Sequence, residues 1–364
     1  MDTTADPDIV FDENGISNYV EKYNYLQNLR IPQLNARDEK LKLIVEKIKK
    51  DGEGKEYDCL IGVSGGVDST YVAYLIKKLG LRPLAVHFDN GWNSELAVSN
   101  IEKTLKKLDI DLYTYVVDWE EFKDIQSAFL KASVPDGEIP TDHAIYATLY
   151  STASNYGIKH IINGTNVRTE GILPRSWAYG HIDLKYIKAI CKRFASNKGR
   201  FKTFPHVNLF QFFKYIFIKR IKSFPILDYL EYNKTEAVNI LEKELGWVNY
   251  GGKHYESIYT RFFQGYILPK KFKMDKRRGH LSTLICSGQI TREDALAEIL
   301  HSPYPNKDME RQDKEFVLKK LDLSESEFEK IMNAPPKLFK DYPNNFKLQQ
   351  SLTKLYHYLK KIGS

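Results

Sequence analysis

Residues 64–69 read Ser-Gly-Gly-Val-Asp-Ser, two hydroxyls and one carboxylate around a pair of glycines. That set suits a phosphate. With no side chains in the way, backbone amides can approach phosphate oxygens, and Asp68 can hold the hard cation that offsets their charge. HFDNGW (87–92) then offers Asp89 and Asn90, and NGTNVRTEG (163–171) offers Gly164, Thr165 and Asn166, with Arg168 and Glu170 just behind. KHYESIYTR supplies Lys253, His254, Glu256 and Arg261, residues able to contact a substrate or a developing charge, with His254 able to manage protons. Lys276, Arg277, Arg278 and His280 follow as a cluster able to bind acidic groups. Each set also has a plainer explanation. Two glycines can serve turn geometry alone, and Asp68 can cap a helix. His254 and Glu256 can form a structural pair, and a basic turn can simply be solvated.

The elements that must position these residues alternate. Leu60, Ile61 and Val63 make a short apolar run, as in a central parallel strand covered on both faces. Strands are expected over Tyr57–Val63, Pro83–Phe88, Asp111–Val117 and Ile158–Asn163, with helices over 68–79, 94–108, 119–131 and 142–156. This is the pattern of an α/β fold with a doubly wound, mainly parallel sheet. SGGVDS, HFDNGW and NGTN then all fall at carboxyl ends of strands, where open sheets bind ligands. The expected division is an N-terminal extension over 1–50, an α/β domain over 51–200 and a mostly helical region over 201–364. One segment, HVNLFQFFKYIFIKRIKSF (206–224), mixes aromatic with basic residues. It reads as a packed amphipathic helix or as an interfacial one for a partner or a membrane surface.

The chain has 364 residues, 42% hydrophobic and 28% charged, with 54 Lys and Arg against 47 Asp and Glu. The resulting +7 is mild for a nucleic-acid binder and equally suits a phosphorylated small substrate. Cys59, Cys191 and Cys286 lie far apart, so neither a disulfide framework nor a metal pair is expected. No signal peptide or membrane-spanning stretch is read, and a cytoplasmic protein is expected.

SGGVDS lacks the GK[ST] ending of a Walker loop. It resembles the PP-loop, the pyrophosphate-binding SGGxDS signature of the ATP pyrophosphatase superfamily. That resemblance implies ATP and Mg2+, with Ser64, Gly65, Gly66, Asp68 and Ser69 around the β- and γ-phosphates and their metal. It places Asp89 and Asn90 near adenosine, Gly164, Thr165 and Asn166 in the fourth-strand loop, and Glu170 as a second magnesium contact beside Asp68. Two longer stretches, DTTADPDIVFDENGISNYVEKY (2–23) and residues 246–299 beginning GWVNYGGKHYES, resemble the N-acetyl sugar amidotransferases of surface-polysaccharide and flagellar-sugar pathways. Members of that family usually carry N-terminal cysteine pairs of the zinc-binding kind. Here Ser17 and Val20 stand in the cysteine positions, so no zinc is expected.

The reaction this resemblance implies turns an acetamido group of a nucleotide-linked or acidic sugar into an acetamidino group. Amide resonance, strong enough to put about 18–20 kcal/mol on C–N rotation, makes the carbonyl carbon a poor electrophile. Adenylating its oxygen gives an imidate that ammonia can attack, with AMP and pyrophosphate released. The catalytic set is Asp68, Lys253, His254, Glu256 and Arg261, and the family's partners are a glutaminase and a barrel-type subunit that deliver ammonia. No cysteine here sits in a glutaminase motif, although Cys191 lies among basic residues. A tRNA-modifying enzyme of the thiolation or lysidine type, or a nucleotide-binding regulatory module, is the alternative. The scattered cysteines disfavour thiolation, and no nucleic-acid partner is expected.

Overall fold

The computed structural model describes residues 1, 6–177, 179–252 and 255–351. Two helices, α1 (Asn18–Arg30) and α2 (Leu34–Asp51), precede the first strand. There follow β1 (Cys59–Gly62), α3 (Val67–Lys78), β2 (Pro83–Asp89), α4 (Glu95–Leu108), β3 (Asp111–Val116), α5 (Trp119–Lys131), α6 (Ile139–Asn155) and β4 (His160–Asn163). Each agrees with its expected span to within three residues. Boundaries are set by caps: the Ser94 hydroxyl accepts from the Ala97 amide at the start of α4, and Asp118 accepts from Glu121 at the start of α5.

All four pairings in the sheet are parallel, in the order β3-β2-β1-β4-β5. The direction of winding therefore reverses between β1 and β4. Such a switch point opens a crevice beyond the carboxyl ends of those two strands, which is where Ser64–Ser69 and Gly164–Asn166 emerge.

The fifth strand is not foreseen by the sequence pattern. β5 (Lys222–Pro225) pairs with β4 through His160↔Lys222 to Asn163↔Pro225, so the sheet takes its edge from beyond residue 200. The pattern hides it because only four residues pair, inside a stretch whose aromatic content suggests a helix. Before it come the short helices α7 (Val167–Glu170), α8 (Leu184–Phe194) and α9 (Leu209–Phe213), the last continuing as a π-helical turn over Lys214–Ile218. After β5 the chain is helical: α10 (Lys234–Leu245), α11 (Ile258–Phe262), a wide turn over Phe263–Phe272, α12 (Arg277–Cys286), α13 (Arg292–Leu300), α14 (Lys307–Lys320) and α15 (Glu325–Asn333).

Three apolar layers hold the sheet. α2, α3 and α10 cover one face through Ile48, Val72, Ile76 and Leu241. On the other, α6 and Phe212, Tyr215 and Ile216 pack on Leu60, Val86 and Ile161. The largest cluster joins α5 and α8 to the C-terminal helices through Phe122, Phe129, Tyr186, Phe262 and Phe328. The C-terminal region is thus welded to the α/β part by aromatic burial. At the N-terminus Tyr19 and Tyr23 pack with Val167 and Ile172, beneath the loop that follows β4.

Candidate functional site

The loop after β1 is tied by its own hydroxyls. Ser64 Oγ lies 3.1 Å from Ser69 Oγ and accepts from the Gly66 amide at 3.3 Å, while Ser69 Oγ donates to the Gly66 carbonyl at 3.1 Å. Gly65 has φ +80°, and a methyl there would stand 2.5 Å from the Ala97 carbonyl oxygen, so only glycine fits. The Gly65 carbonyl accepts from the buried indole of Trp247 at 2.9 Å. These contacts fix the loop before any ligand arrives.

Asp68 opens α3 and accepts from the Tyr232 hydroxyl. Burial and the Asp68 charge push the Tyr232 phenol up, so it remains a donor. The loop after β4 closes against the same residue: a methyl at Gly164 would lie 3.1 Å from the Asp68 backbone and Cβ. Thr165 is held by Asn163, which accepts from its amide at 3.0 Å and its hydroxyl at 2.6 Å. Asn166 is buried and caps α7, accepting from the Thr169 amide at 2.9 Å. It lines neither of the two cavities that meet at this loop but sets the helix that presents Glu170. From far along the sequence Glu256 arrives through an antiparallel bridge between Asn93 and Ser257, its carbonyl accepting from the Ser94 amide at 2.8 Å.

Two cavities meet here. One, about 410 Å³, is lined by Ser64, Gly66, Asp68 and Ser69 with Gly164, Lys234 and Tyr250. The other, about 640 Å³, runs past Val63, His87, Phe88 and Asn90 to Glu138, Asp142, Gln264, Lys276 and His280. Ser64, Thr165, Glu170 and Glu256 line both. Each volume falls in the ordinary range for small-ligand sites, roughly 300–1,000 Å³. In the larger one, Thr148 Oγ1 and His181 Nε2 are buried polar atoms with no hydrogen-bond partner among the described residues. Buried polar atoms left this way point to a polar ligand.

Asp68, Glu170, Lys234 and Glu256 all line the smaller cavity. Among the described residues no cluster of three His, Cys, Asp or Glu side chains is arranged to hold a metal by itself. The set fits magnesium as nucleotide enzymes use it, with one or two carboxylates and the remaining ligands from phosphate and water. Beside it the Tyr250 phenol is pushed up by burial and then by Glu256, to which it hydrogen-bonds.

The other expected residues divide. Lys253 and His254 lie outside the described residues. Asp89 lines neither cavity; its carboxylate accepts from the Gly91 amide at 2.8 Å and from Asn93 at 3.3 Å, shaping the turn after β2. Asn90 does face the larger cavity and donates to Thr141 at 3.1 Å. Arg261 does not reach either one. Its guanidinium makes a two-pronged pair with buried Asp313 at 2.6 and 2.7 Å, and Tyr304 donates to the same carboxylate. The structure corrects its expected place among the catalytic residues to a clamp between α11 and α14.

The basic cluster is not one anion site. Lys276 lines the cavity but pairs with Glu138 at 3.0 Å. Although burial opposes its charge, Glu138, Asp142 and Asp136 hold the Lys276 ammonium above its ordinary pKa. Arg277 is taken by Asp275 and by the carbonyls of Glu298 and His301. Arg278 lines neither cavity, whereas His280 lines the larger one.

Sequence reasoning misses Lys234, Glu138, Asp142, Tyr232 and Tyr250. Lys234 leaves a signal: a cation just after the Asn233 cap opposes the helix dipole, an arrangement that an anionic ligand would reverse.

A family model described as LPS biosynthesis protein WbpG-like, C-terminal domain, matches residues 256–356. An uncharacterized protein of Methanocaldococcus jannaschii, MJ1599, is 30% identical over 158 residues, which cover 41% of this chain and 53% of that protein. The chain thus spans about half the length of that relative. A GMP synthase (glutamine-hydrolyzing) of Pyrobaculum aerophilum is 36% identical over 101 residues, 27% of this chain and 19% of that one. Among solved structures, NMN synthetase from Francisella tularensis is 17% identical, with a TM-score of 0.33 and coverage of 79% of this chain and 97% of that one. The fold rests on the sheet order above, and residues 256–356, which bring Glu256, Gln264, Lys276 and His280 to the switch point, are the stretch similar to the WbpG-like C-terminal domain of LPS biosynthesis proteins.

Proposed function

We propose that this chain is an ATP-dependent amidotransferase that converts an acetamido group of a sugar into an acetamidino group, releasing AMP and pyrophosphate. The observation that carries the reading is the junction of the two cavities. A nucleotide with its phosphates against Gly66 and Ser69 presents its α-phosphorus toward Ser64, Thr165, Glu170 and Glu256. A second ligand in the larger cavity presents its acetamido oxygen to the same place. The match to an LPS biosynthesis family supports a sugar as that ligand.

Each residue then has a task. The hydroxyl-tied loop and Lys234 hold the β- and γ-phosphates, and Asp68 and Glu170 would hold magnesium, which supplies charge neutralisation there. The amide oxygen bonds to the α-phosphorus as pyrophosphate leaves. Ammonia then adds to the carbon, and the former carbonyl oxygen departs with AMP. The product is an amidine, a strong base that is cationic at neutral pH. Glu256 and Glu170, at the junction, face that developing positive charge. Glu138, Gln264, Lys276 and His280 orient the sugar at the far end.

Ammonia comes from outside this reading's active site. Cys59 and Cys191 are buried; burial pushes the Cys191 thiol up to about 12, with Asp124 adding to the effect, and raises Cys59 further. Neither is a thiolate nucleophile, so a partner glutaminase with a barrel-type subunit is proposed as the source.

The test is to incubate the protein with ATP, magnesium, ammonium and a panel of acetamido sugars, free and nucleotide-linked. AMP and pyrophosphate should form only when an acceptor sugar is present, with the acceptor one nominal mass unit lighter. Release of ADP and phosphate, or AMP formation that requires tRNA, would overturn the proposal.

A further inference from the structure

The segment Leu209–Ile218 is apolar on two sides. Its inner side chains, Phe212, Tyr215 and Ile216, pack with Tyr150 and Ile161. Its outer side leaves Phe210 75%, Phe213 52%, Phe217 54% and Ile218 64% exposed, with Phe213 and Phe217 stacked at 4.4 Å. Four large apolar side chains projecting from one ten-residue helix form the kind of contiguous patch that marks an interaction site.

The charge around it is one-sided. Lys214, Lys219, Arg220 and Lys222 are all exposed on the segment or directly after it. From Leu184 to Leu227 the chain has eleven Lys and Arg and no Asp or Glu. Protein interfaces tend to deplete lysine around their aromatic anchors. Aromatic and aliphatic tips flanked by lysine and arginine instead match a bilayer interface, where the rings enter the headgroup boundary and the cations meet lipid phosphates. A helix of this length spans about 15 Å, half of a hydrocarbon core, so it lies along the surface.

We propose that residues 209–222 form an interfacial face that seats the protein on an anionic lipid bilayer. The occupant is the membrane surface itself, bound by shallow insertion of Phe210, Phe213, Phe217 and Ile218 together with the four flanking cations. The face lies close to the chemistry. Tyr150 of α6 receives Phe212 at 5.2 Å and Tyr215 at 6.0 Å, while Tyr146 and Leu149 of the same helix line the larger cavity. The acceptor cavity thus sits one helix behind the seating face. This inference does not depend on which reaction that cavity performs.

The experiment is vesicle co-sedimentation of the full chain, using phosphatidylcholine vesicles with and without about one third phosphatidylglycerol. Four cations near an anionic surface should favour the charged vesicles by about 10- to 100-fold at low salt, with the preference collapsing in high salt. The triple variant Phe210→Ser, Phe213→Ser, Phe217→Ser should lose at least about tenfold of that binding, because shallowly buried rings supply the apolar part. Its melting temperature and circular dichroism should match the wild type, since the three rings are exposed. The pair Lys219→Gln, Arg220→Gln should weaken only the anionic component. Binding without lipid-charge preference, or binding that survives the triple substitution, would overturn the proposal. So would a wild-type chain that ignores vesicles but self-associates or holds a partner protein, where the triple variant does neither.

Discussion

Gly65 and Gly66 are neighbours with opposite jobs, and alanine at each should separate folding from chemistry. At Gly65, φ is +80° and the new methyl would stand 2.5 Å from the Ala97 carbonyl oxygen. Holding an L-residue in the left-handed region costs about 1–2 kcal/mol, and forcing α4 backbone aside costs about 1–3 kcal/mol more. At about 2 °C per kcal/mol for a chain of this size, Gly65→Ala should lower the melting temperature by about 4–10 °C. At Gly66, φ is −73° and the nearest atoms to the methyl would be Ser64 Oγ and Tyr250 Oη at 3.2 Å and Glu256 at 3.4 Å, all on the cleft wall. That backbone suits alanine, so stability should stay within about 1 kcal/mol of wild type. The methyl nevertheless occupies the space a phosphate oxygen needs, and pyrophosphate release should fall at least about tenfold. Differential scanning calorimetry beside a coupled pyrophosphate assay reads both effects. A Gly66→Ala protein that melts as low as Gly65→Ala, or turns over at the wild-type rate, would refute the reasoning.

Arg261→Gln leaves Asp313 buried without its guanidinium and should cost about 3–5 kcal/mol in urea denaturation. Its folded fraction should keep kcat within about twofold, because the clamp touches neither cavity. Lys276→Met should raise the KM for acceptor about tenfold with the KM for ATP unchanged, placing its effect at the far end of the larger cavity. Stability should also fall with acid through His143, whose pKa burial lowers to about 4 from 6.5. The neutral ring is fixed there, Nδ1 donating to the His181 carbonyl and Nε2 accepting from the Val207 amide. Since the unfolded chain takes up the proton first, this contribution is complete above pH 6.5. About 3 kcal/mol of it should be lost as pH falls to 4. Denaturant titrations at pH 7, 5.5 and 4 on wild type and His143→Gln should show a flatter profile for the variant.

Much of the fold is legible in the sequence because the decisive signals are local. Leu60–Val63 reads as a buried strand, and two glycines before an amphipathic helix mark its carboxyl end, so the switch-point loop is expected from a dozen residues. Glu256 and Glu170 can be named, but not their meeting, since the pairing of Asn93 with Ser257, which brings Glu256 to the cleft, is a tertiary fact. Arg261 shows the opposite limit. A basic residue in a polar motif reads as functional until Asp313, 52 positions away, is seen to hold it. Lys276 likewise reads as an available cation because Glu138, 138 positions away, cannot be placed beside it from sequence, whereas Asp275, the partner of Arg277, stands only two residues from it. β5 escapes because its four residues carry no alternation of their own and draw their strand character from β4.

If the acetamido oxygen itself attacks the α-phosphorus, that oxygen must leave with AMP, and isotope transfer follows it. The acceptor sugar, labelled with oxygen-18 in its acetamido carbonyl, is turned over with ATP, magnesium and ammonium, and the AMP is examined by mass spectrometry. One labelled oxygen should appear in the phosphate of every AMP formed, with none in pyrophosphate and none left in the amidine. Asp68→Asn should lower the yield of labelled AMP by about a hundredfold. Unlabelled AMP accompanied by label retained in the sugar would contradict it.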